Sequence, residues 1–436
     1  MFIEPQQSGD KKIIQAQFNE KPYPDFSVSE SFNSNNFNEL FKHSFAVPYF
    51  KLFHGVYHSE GVRILDVGCG SGHKLLYLAK ANPGSLITAV DFSADSLDIA
   101  CQRMKFHGID NIDFHCVSLD DIPLLGKSFD FINCDEVLYL SEDIVASLCV
   151  LKSVLSPRGI IRANLHNYYN RFYSNCSQEA FEMLGLKDEP PGEFRRDFVR
   201  IFMSSLVDSS VFKKILFPTN TEVSDSSIEM NCIFFGDKGF TFPQLFSSLR
   251  DSGLFFIDLV NVSDWSLNVS FPDSSSPEIF SDVLQELSFE NKLHLCELVN
   301  PKRLMDFWCC IEDNVSSLSK DPLSADSLVI LNSLLNTNLV KQDLINSCHN
   351  FLPFEATKYI SLSSAFPLFL DSAQASIILP LFDGPVKCVD LVNAFMCQPY
   401  LDSSGNRFSS MSFEKSFAFV SELIHSLESC SFVFVL

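Results

Sequence analysis

The segment Ile64–His73, reading ILDVGCGSGH, limits the fold of this chain more than any other stretch. Ile64 to Val67 reads as a buried strand, with Asp66 at its carboxyl end. Glycines follow at 68, 70 and 72, and a helical run, Lys74–Lys80, comes next. Glycine reaches positive φ without steric cost and lets a ligand approach the backbone closely. The first N–H groups of the helix then face the ligand's negative end. Strand, glycine turn and helix start together build the ligand crevice of an open α/β sheet.

The pattern around this segment agrees. From Gly61 to about Leu165, strand-like and helix-like stretches alternate: Val62–Val67, Leu75–Ala81, Ile87–Asp91, Ala94–Phe106, Ile112–Val117, Phe129–Cys134, Ile144–Leu155 and Gly159–Asn164. Short apolar strands joined through helices predict a doubly wound, mostly parallel sheet. Ligand residues then gather at the strand ends, where Asp66, Asp91, Ser118 and Asp135 stand.

Composition narrows the function classes. The 436 residues are 46% hydrophobic, with 44 phenylalanines, which suits a globular chain of two or three domains. A net charge of −22 repels phosphate backbones and anionic lipid, so neither nucleic acid nor membrane is an expected partner. The 14 cysteines are scattered without any C-x-x-C pair, and Cys309 and Cys310 are adjacent. That suits reduced thiols in a cytoplasmic core and no metal site. The opening MFIEPQQSGDKK has no apolar core of a secretory leader, and no run of 18 apolar residues suggests a membrane span.

The glycine spacing chooses among nucleotide folds. Nicotinamide-dinucleotide sites read G-x-G-x-x-G. Here the order is Asp66-x-Gly68-x-Gly70-x-Gly72, with the third glycine one place early. With Asp91 closing the next strand, the segment resembles the class I S-adenosylmethionine-dependent methyltransferases. The resemblance implies that Asp66 and the turn Gly68, Cys69, Gly70 and Gly72 hold the methionine moiety of S-adenosylmethionine. It implies that Asp91 accepts hydrogen bonds from both ribose hydroxyls, and that Phe92, Ser118, Leu119 and Asp135 complete the cofactor contacts.

Two departures stand out. Ser118, not an acid, takes the usual adenine-contacting place in CVSLDDIP, with Asp120 and Asp121 as substitutes. In SFDFINCDEVLYLSED, similar to the family's fourth motif, Tyr139 replaces a common histidine and the segment is one residue shorter. Asp135, Glu136 and Tyr139 line this edge, and His166 emerges from the fifth strand, so Tyr139 and His166 are the catalytic candidates. NLHNYYNRFY, after the fifth strand, and QAQFNEKPYPDF, near the start, also resemble segments of a bacterial methyltransferase type with a PYP-containing leader and a C-terminal extension. Proline at 22 and 24 predicts an extended leader presenting Phe18, Tyr23 and Phe26, and the resemblance implies that it lies as a flap over the cofactor.

The remainder divides by composition. Residues 1–57 read as an arm or flap, and 58–268 as the Rossmann-like domain, with a helical insertion at 176–238. Within it, Pro157 and Gly159 predict the turn after the fourth helix, and Leu254–Val260 a sixth strand. SFPDSSSPE, residues 270–278, reads as a linker to a separate, mostly helical module at 271–436. Leu295–Trp308 reads as helical, and the order of elements after Ser372 suggests a winged helix. Residues 371–436 carry three Lys/Arg against seven Asp/Glu, which favours protein contact or a homodimer over DNA. The expected activity is methyl transfer to a small molecule or protein. A non-catalytic protein that binds S-adenosylmethionine or S-adenosylhomocysteine, and a nicotinamide-dependent oxidoreductase, stay open as alternatives.

Overall fold

The computed structural model describes residues 9–20, 24, 26–30, 32–55, 59–218, 222–270, 278–311, 323–397 and 411–436. Helices α1 (Gly9–Glu20), α2 (Phe37–His43) and α3 (Ala46–Phe53) precede the sheet. Strands β1 (Arg63–Val67), β2 (Leu86–Asp91), β3 (Ile112–Cys116), β4 (Phe129–Cys134) and β5 (Leu155–His166) then run parallel, with α4 (His73–Ala81), α5 (Ala94–Phe106) and α6 (Ile144–Ser153) between them. Pro157 and Gly159 lie inside β5 rather than in a turn. They form a bulge, since Phe129 pairs with Leu155 and Phe131 with Ile160.

Helices α7 (Tyr168–Met183), α8 (Glu193–Ser205), α9 (Val211–Leu216) and α10 (Asp225–Cys232) follow β5 and pack around their own small core, including Phe181, Val199 and Ile228. Helix α11 (Phe242–Ser252), with a capping box at Thr241 and Gln244 and a left-handed Gly253, leads into β6 (Leu254–Leu259). Next come α12 (Leu267–Ser270), α13 (Glu278–Glu286), α14 (Phe289–Val299) and β7 (Leu304–Ile311).

Strand β7 corrects two expectations. Residues 304–308 are extended, not helical, and β7 enters antiparallel between β5 and β6, giving the order β3-β2-β1-β4-β5-β7-β6. The sheet therefore continues past residue 268. The run LMDFWCCI is buried on both faces and so shows no helical or alternating pattern. Its adjacent cysteines point opposite ways, Cys309 into one core and Cys310 into the other. The expected linker lies mostly at 271–277, outside the described residues.

The C-terminal region builds β8 (Leu328–Leu331), α15 (Asn338–Asn350), β9 (Phe354–Glu355), β10 (Phe369–Leu370), α16 (Ser372–Ile378), β11 (Val386–Lys387), α17 (Cys388–Met396), α18 (Phe413–Ser429) and β12 (Val433–Val435). Strands β11, β8 and β12 form a three-stranded antiparallel sheet. This region is not separately cored. Its Val329, Leu391 and Val433 belong to the apolar cluster that also holds Ile64, Phe131, Ile160 and Trp308 of the large sheet. Helices α2 and α3 supply the join, through Phe37 on Tyr359, Phe41 on Trp308, and Phe50 stacked on Phe434 at 4.3 Å.

A shared core predicts joint unfolding. Phe434→Ala should lower stability by about 3 kcal/mol. Near- and far-ultraviolet circular dichroism should then report one coincident transition in urea, whereas two separated transitions would show independent cores.

Candidate functional site

The carboxyl ends of β1, β2 and β4 frame a cavity of about 510 Å³. Its lining includes Asp66, Gly68, Cys69, Gly70, Asp91, Phe92, Ser118, Leu119, Asp135 and Tyr139. Of the sequence-predicted site residues, Gly72 and His166 are not in the lining.

Asp91 clasps the turn. One carboxylate oxygen accepts from the Gly70 N–H at 2.9 Å, and the other from the Ser93 N–H at 2.9 Å. The N–H groups of Gly68 and Cys69 donate to the Val90 carbonyl at 2.8 and 3.1 Å. Gly68 has φ of 69°, and a side chain there would run into Val137. Gly72 has φ of 82°, and its absent Cβ would lie 2.9 Å from the Ala100 backbone. Gly72 therefore seats α4 against α5 instead of facing the cavity.

Burial pushes the Asp66 and Asp91 carboxyls up to about 6 each, against hydrogen bonds that work the other way. Asp66 accepts from the Asn133 amide at 2.7 Å. Asp135 is also buried, but the positive charges of Arg162 and Lys74 hold it well below the usual carboxylate range. Lys74 Nζ stands 2.9 Å from Asp135. Burial would likewise raise Glu136. Neighbouring His166 and the charges of Lys74 and Arg303 bring it down to about 2 instead. Glu136 sits at φ of 61°, held by its N–H donating to Asn164 Oδ1 at 2.8 Å. A non-glycine residue there costs about 1–3 kcal/mol, a strain that is met most often at functional sites.

The two catalytic candidates stack on each other, with ring centroids 3.7 Å apart. Burial pushes the Tyr139 hydroxyl upward, so it stays protonated. His166 is fully buried, with Nδ1 2.6 Å from Asp237 Oδ1 and Nε2 3.3 Å from Glu136 Oε2. Asp237 in turn takes two donors from Arg171. In the adenine region, the Ser118 hydroxyl donates to Asp121 at 2.7 Å, while Asp120 lines the cavity.

The leader reaches the cavity as a helix, not an extended piece. Gly9–Glu20 has no breaker before Pro22, and Ile14 and Phe18, four apart, face the cavity together. Phe18 meets Phe92 edge-on at 6.1 Å, and Gln15 donates to the Phe92 carbonyl at 2.9 Å. Ser71 donates to the Pro24 carbonyl, and buried Arg103 bridges Ser71 to the carbonyls of Phe26 and Ser27. Phe26 is exposed and packs on His73, away from the cavity, and Tyr23 lies outside the described residues.

Residues 58–197 match the family model described as a methyltransferase domain. That stretch therefore carries a methyltransferase domain. An uncharacterised Synechococcus protein is 32% identical to the chain over 255 residues, which cover 55% of this chain and 58% of the relative. A ubiquinone biosynthesis O-methyltransferase of Rhizobium leguminosarum is 30% identical over 102 residues, covering 23% of this chain and 39% of that one. The chain thus spans about half the length, or less, of the curated relatives it matches. PKMT2 from Rickettsia typhi, solved in complex with AdoHcy, shares the fold at a TM-score of 0.58 and 16% identity, over 95% of this chain and 77% of that one.

Sequence reasoning missed Lys74, Asn133 and Arg162 around the cavity. For Asn133 and Arg162 the signal was present, polar residues inside buried strands where the apolar run breaks; Lys74, in the first turn of α4, gave none. Asp237 gave none, because it meets His166 across 71 residues of chain.

The Gly72 contact predicts a stability difference between two positive-φ glycines. Gly61→Ala meets open space, whereas Gly72→Ala meets Ala100. In urea denaturation, Gly72→Ala should be the more destabilising by about 1–3 kcal/mol, the cost of overpacking.

Proposed function

We propose that this protein is an S-adenosylmethionine-dependent methyltransferase acting on a small-molecule or protein acceptor. One observation carries the reading: Asp66 and Asp91 face a single cavity from adjacent parallel strands, on either side of a glycine turn that a side chain at 68 would obstruct. The donor set fits the cofactor. Asp66 suits the ammonium of the methionine moiety, and the turn of Gly68, Cys69 and Gly70 the close approach of its chain. Asp91 suits the ribose hydroxyls, Phe92, Ser118, Leu119 and Asp120 the adenine side, and Asp135 the methionine end.

When bound, the cofactor supplies an electrophilic methyl group on a sulfonium. This chain's own residues position and screen. Ile14 and Phe18 put apolar surface on the cavity wall, where displaced water would strengthen the polar contacts inside. Glu136, ionised and fixed from behind by His166, presents a carboxylate able to orient a donor on the acceptor. Tyr139 stays protonated and His166 lies off the cavity, so neither is placed to remove a proton directly. Most of the acceleration then comes from holding the nucleophile in line, which requires no base for an acceptor that arrives deprotonated.

The C-terminal stretch 271–436, apart from the β7 that joins the large sheet, we read as an accessory region, winged-helix-like towards its end, for protein contact or a homodimer. The acidic balance speaks against nucleic acid. Among the described residues no helix is long and apolar enough to cross a membrane, and the cysteines are free thiols, which together support a cytoplasmic setting.

Transfer of a labelled methyl group into fractionated cell extract tests activity and acceptor class together. Binding of cofactor without transfer to any fraction would favour a non-catalytic binder, and stabilisation by NADH but not S-adenosylhomocysteine an oxidoreductase. By calorimetry, Asp91→Ala should weaken S-adenosylhomocysteine binding at least about tenfold, given about 1.5–3 kcal/mol for each hydrogen bond to a charged group. The ionised carboxylates bind and the protonated ones do not. Affinity of the unaltered protein should therefore be flat above neutral pH and fall as the pH drops through about 6.

A further inference from the structure

A chain of polar side chains crosses four neighbouring strands behind the cavity. Asp306 on β7 accepts from Arg162 Nε at 3.1 Å and from Nη2 at 2.7 Å. Arg162 on β5 donates through Nη1 to the Asn133 amide oxygen on β4 at 2.8 Å. Asn133 donates through Nδ2 to Asp66 on β1 at 2.7 Å. The same Nη1 lies 3.4 Å from Asp135. The register sets this line, since Asp66 pairs with Asn133 and Asn133 with Arg162. All four residues are buried, and only Asp66 and Asn133 reach the cavity.

The orientation of Asn133 is the consequence that matters. An amide can present either its oxygen or its NH₂ to a neighbour. A guanidinium has donors only, so the Asn133 oxygen must turn toward Arg162, which leaves the NH₂ for Asp66. Turned the other way, the amide would set an oxygen against the carboxylate. Asp306 keeps Arg162 in place with a two-point contact that fixes the guanidinium plane.

We propose that Arg162 is a positioning residue for cofactor binding: through Asn133 it keeps Asp66 ionised and turned toward the cavity. This deepens the methyltransferase reading and rests on it, because an ionised Asp66 is what would receive the ammonium of the methionine moiety. The titratable and charged groups around Asp66 are His43 from α2, Cys134 from β4 and Asp135 just after it, Arg162 from β5, and Cys69 from the turn. Asp91 from β2 and Lys74 from α4 stand farther round the same cavity. Arg162 is the cation bound to Asn133, and its loss leaves burial and the neighbouring carboxylates to favour a neutral Asp66.

The test is the pH dependence of S-adenosylhomocysteine binding, measured by calorimetry on the full chain. Arg162→Gln should weaken binding about tenfold at pH 7, the worth of one charge-assisted bond, and should move the pH midpoint upward. Most of the affinity should return at higher pH. Removing buried Arg162 risks the fold, so Asn133→Ala, which leaves the Arg162–Asp306 pair intact, must give the same upward shift. In an Asp66→Asn background, neither change should move the midpoint that Asp91 still contributes. A loss of equal size at every pH, or an equal shift in the Asp66→Asn background, would overturn the assignment, and so would unchanged binding. An unaltered protein that fails to bind S-adenosylhomocysteine would instead bring down the cofactor reading itself, a result the variants cannot mimic.

Discussion

A guanidinium held entirely inside a protein is tolerated only when its donors are used and its charge is matched. Arg162 meets both conditions, with Asp306 on one side, Asn133 ahead and Asp135 near. Desolvating such ions costs several kcal/mol each, and breaking a buried pair by removing one partner leaves that cost uncompensated. The carboxyl-terminal halves of β1, β4 and β5 and the amino-terminal end of antiparallel β7 are thus tied together by a polar line as well as by backbone ladders. The geometry of Asp66 and Asp135 at the cavity follows from that line.

The switch from apolar to polar is visible along each strand. On the face turned to α2, Ile64 gives way to Asp66, Phe131 to Asn133 and Asp135, and Ile160 to Arg162, Asn164 and His166. Antiparallel β7 runs the other way, from Asp306 to Trp308 and Cys310. The opposite face stays apolar throughout, from Leu65 and Val67 to Ile161, Ala163 and Leu165. One sheet therefore has a dry end that holds the fold and a charged end that holds the site. The period of two along a strand keeps them separate.

How far the sequence could be read follows from this layout. Strands β1 to β4 and the helices between them were legible almost to the residue, since turn chemistry and apolar period agreed there. The glycine turn and the carboxylates that close β1 and β2 were legible for the same reason: local geometry demands those residue types at those places. Strand β7 was not, because eight residues buried on both faces carry no period to read. Nor was the helical form of the leader, where two prolines suggested extension but both follow the helix. The partners of His166 were hidden by distance along the chain, as Asp237 arrives from the end of the helical insertion and Arg303 from beyond it.

Helix α2 brings the C-terminal region into the same argument. Its Phe37 and Phe41 pack on Tyr359 and Trp308, in the core that the C-terminal strands share. Two positions on, fully buried His43 lies with Nε2 3.5 Å from Asp135, while Nδ1 bonds the Glu39 carbonyl at 2.7 Å. Asn82 at the end of α4 fixes the α2–α3 corner by donating to the His43 carbonyl and accepting from the Phe45 N–H. A seven-residue helix therefore carries apolar contacts to the accessory region and a polar contact to the cavity wall. Close-packed interiors transmit small displacements instead of absorbing them. The C-terminal region is thus continuous, through Phe41, Trp308 and His43, with the carboxylates of the cavity.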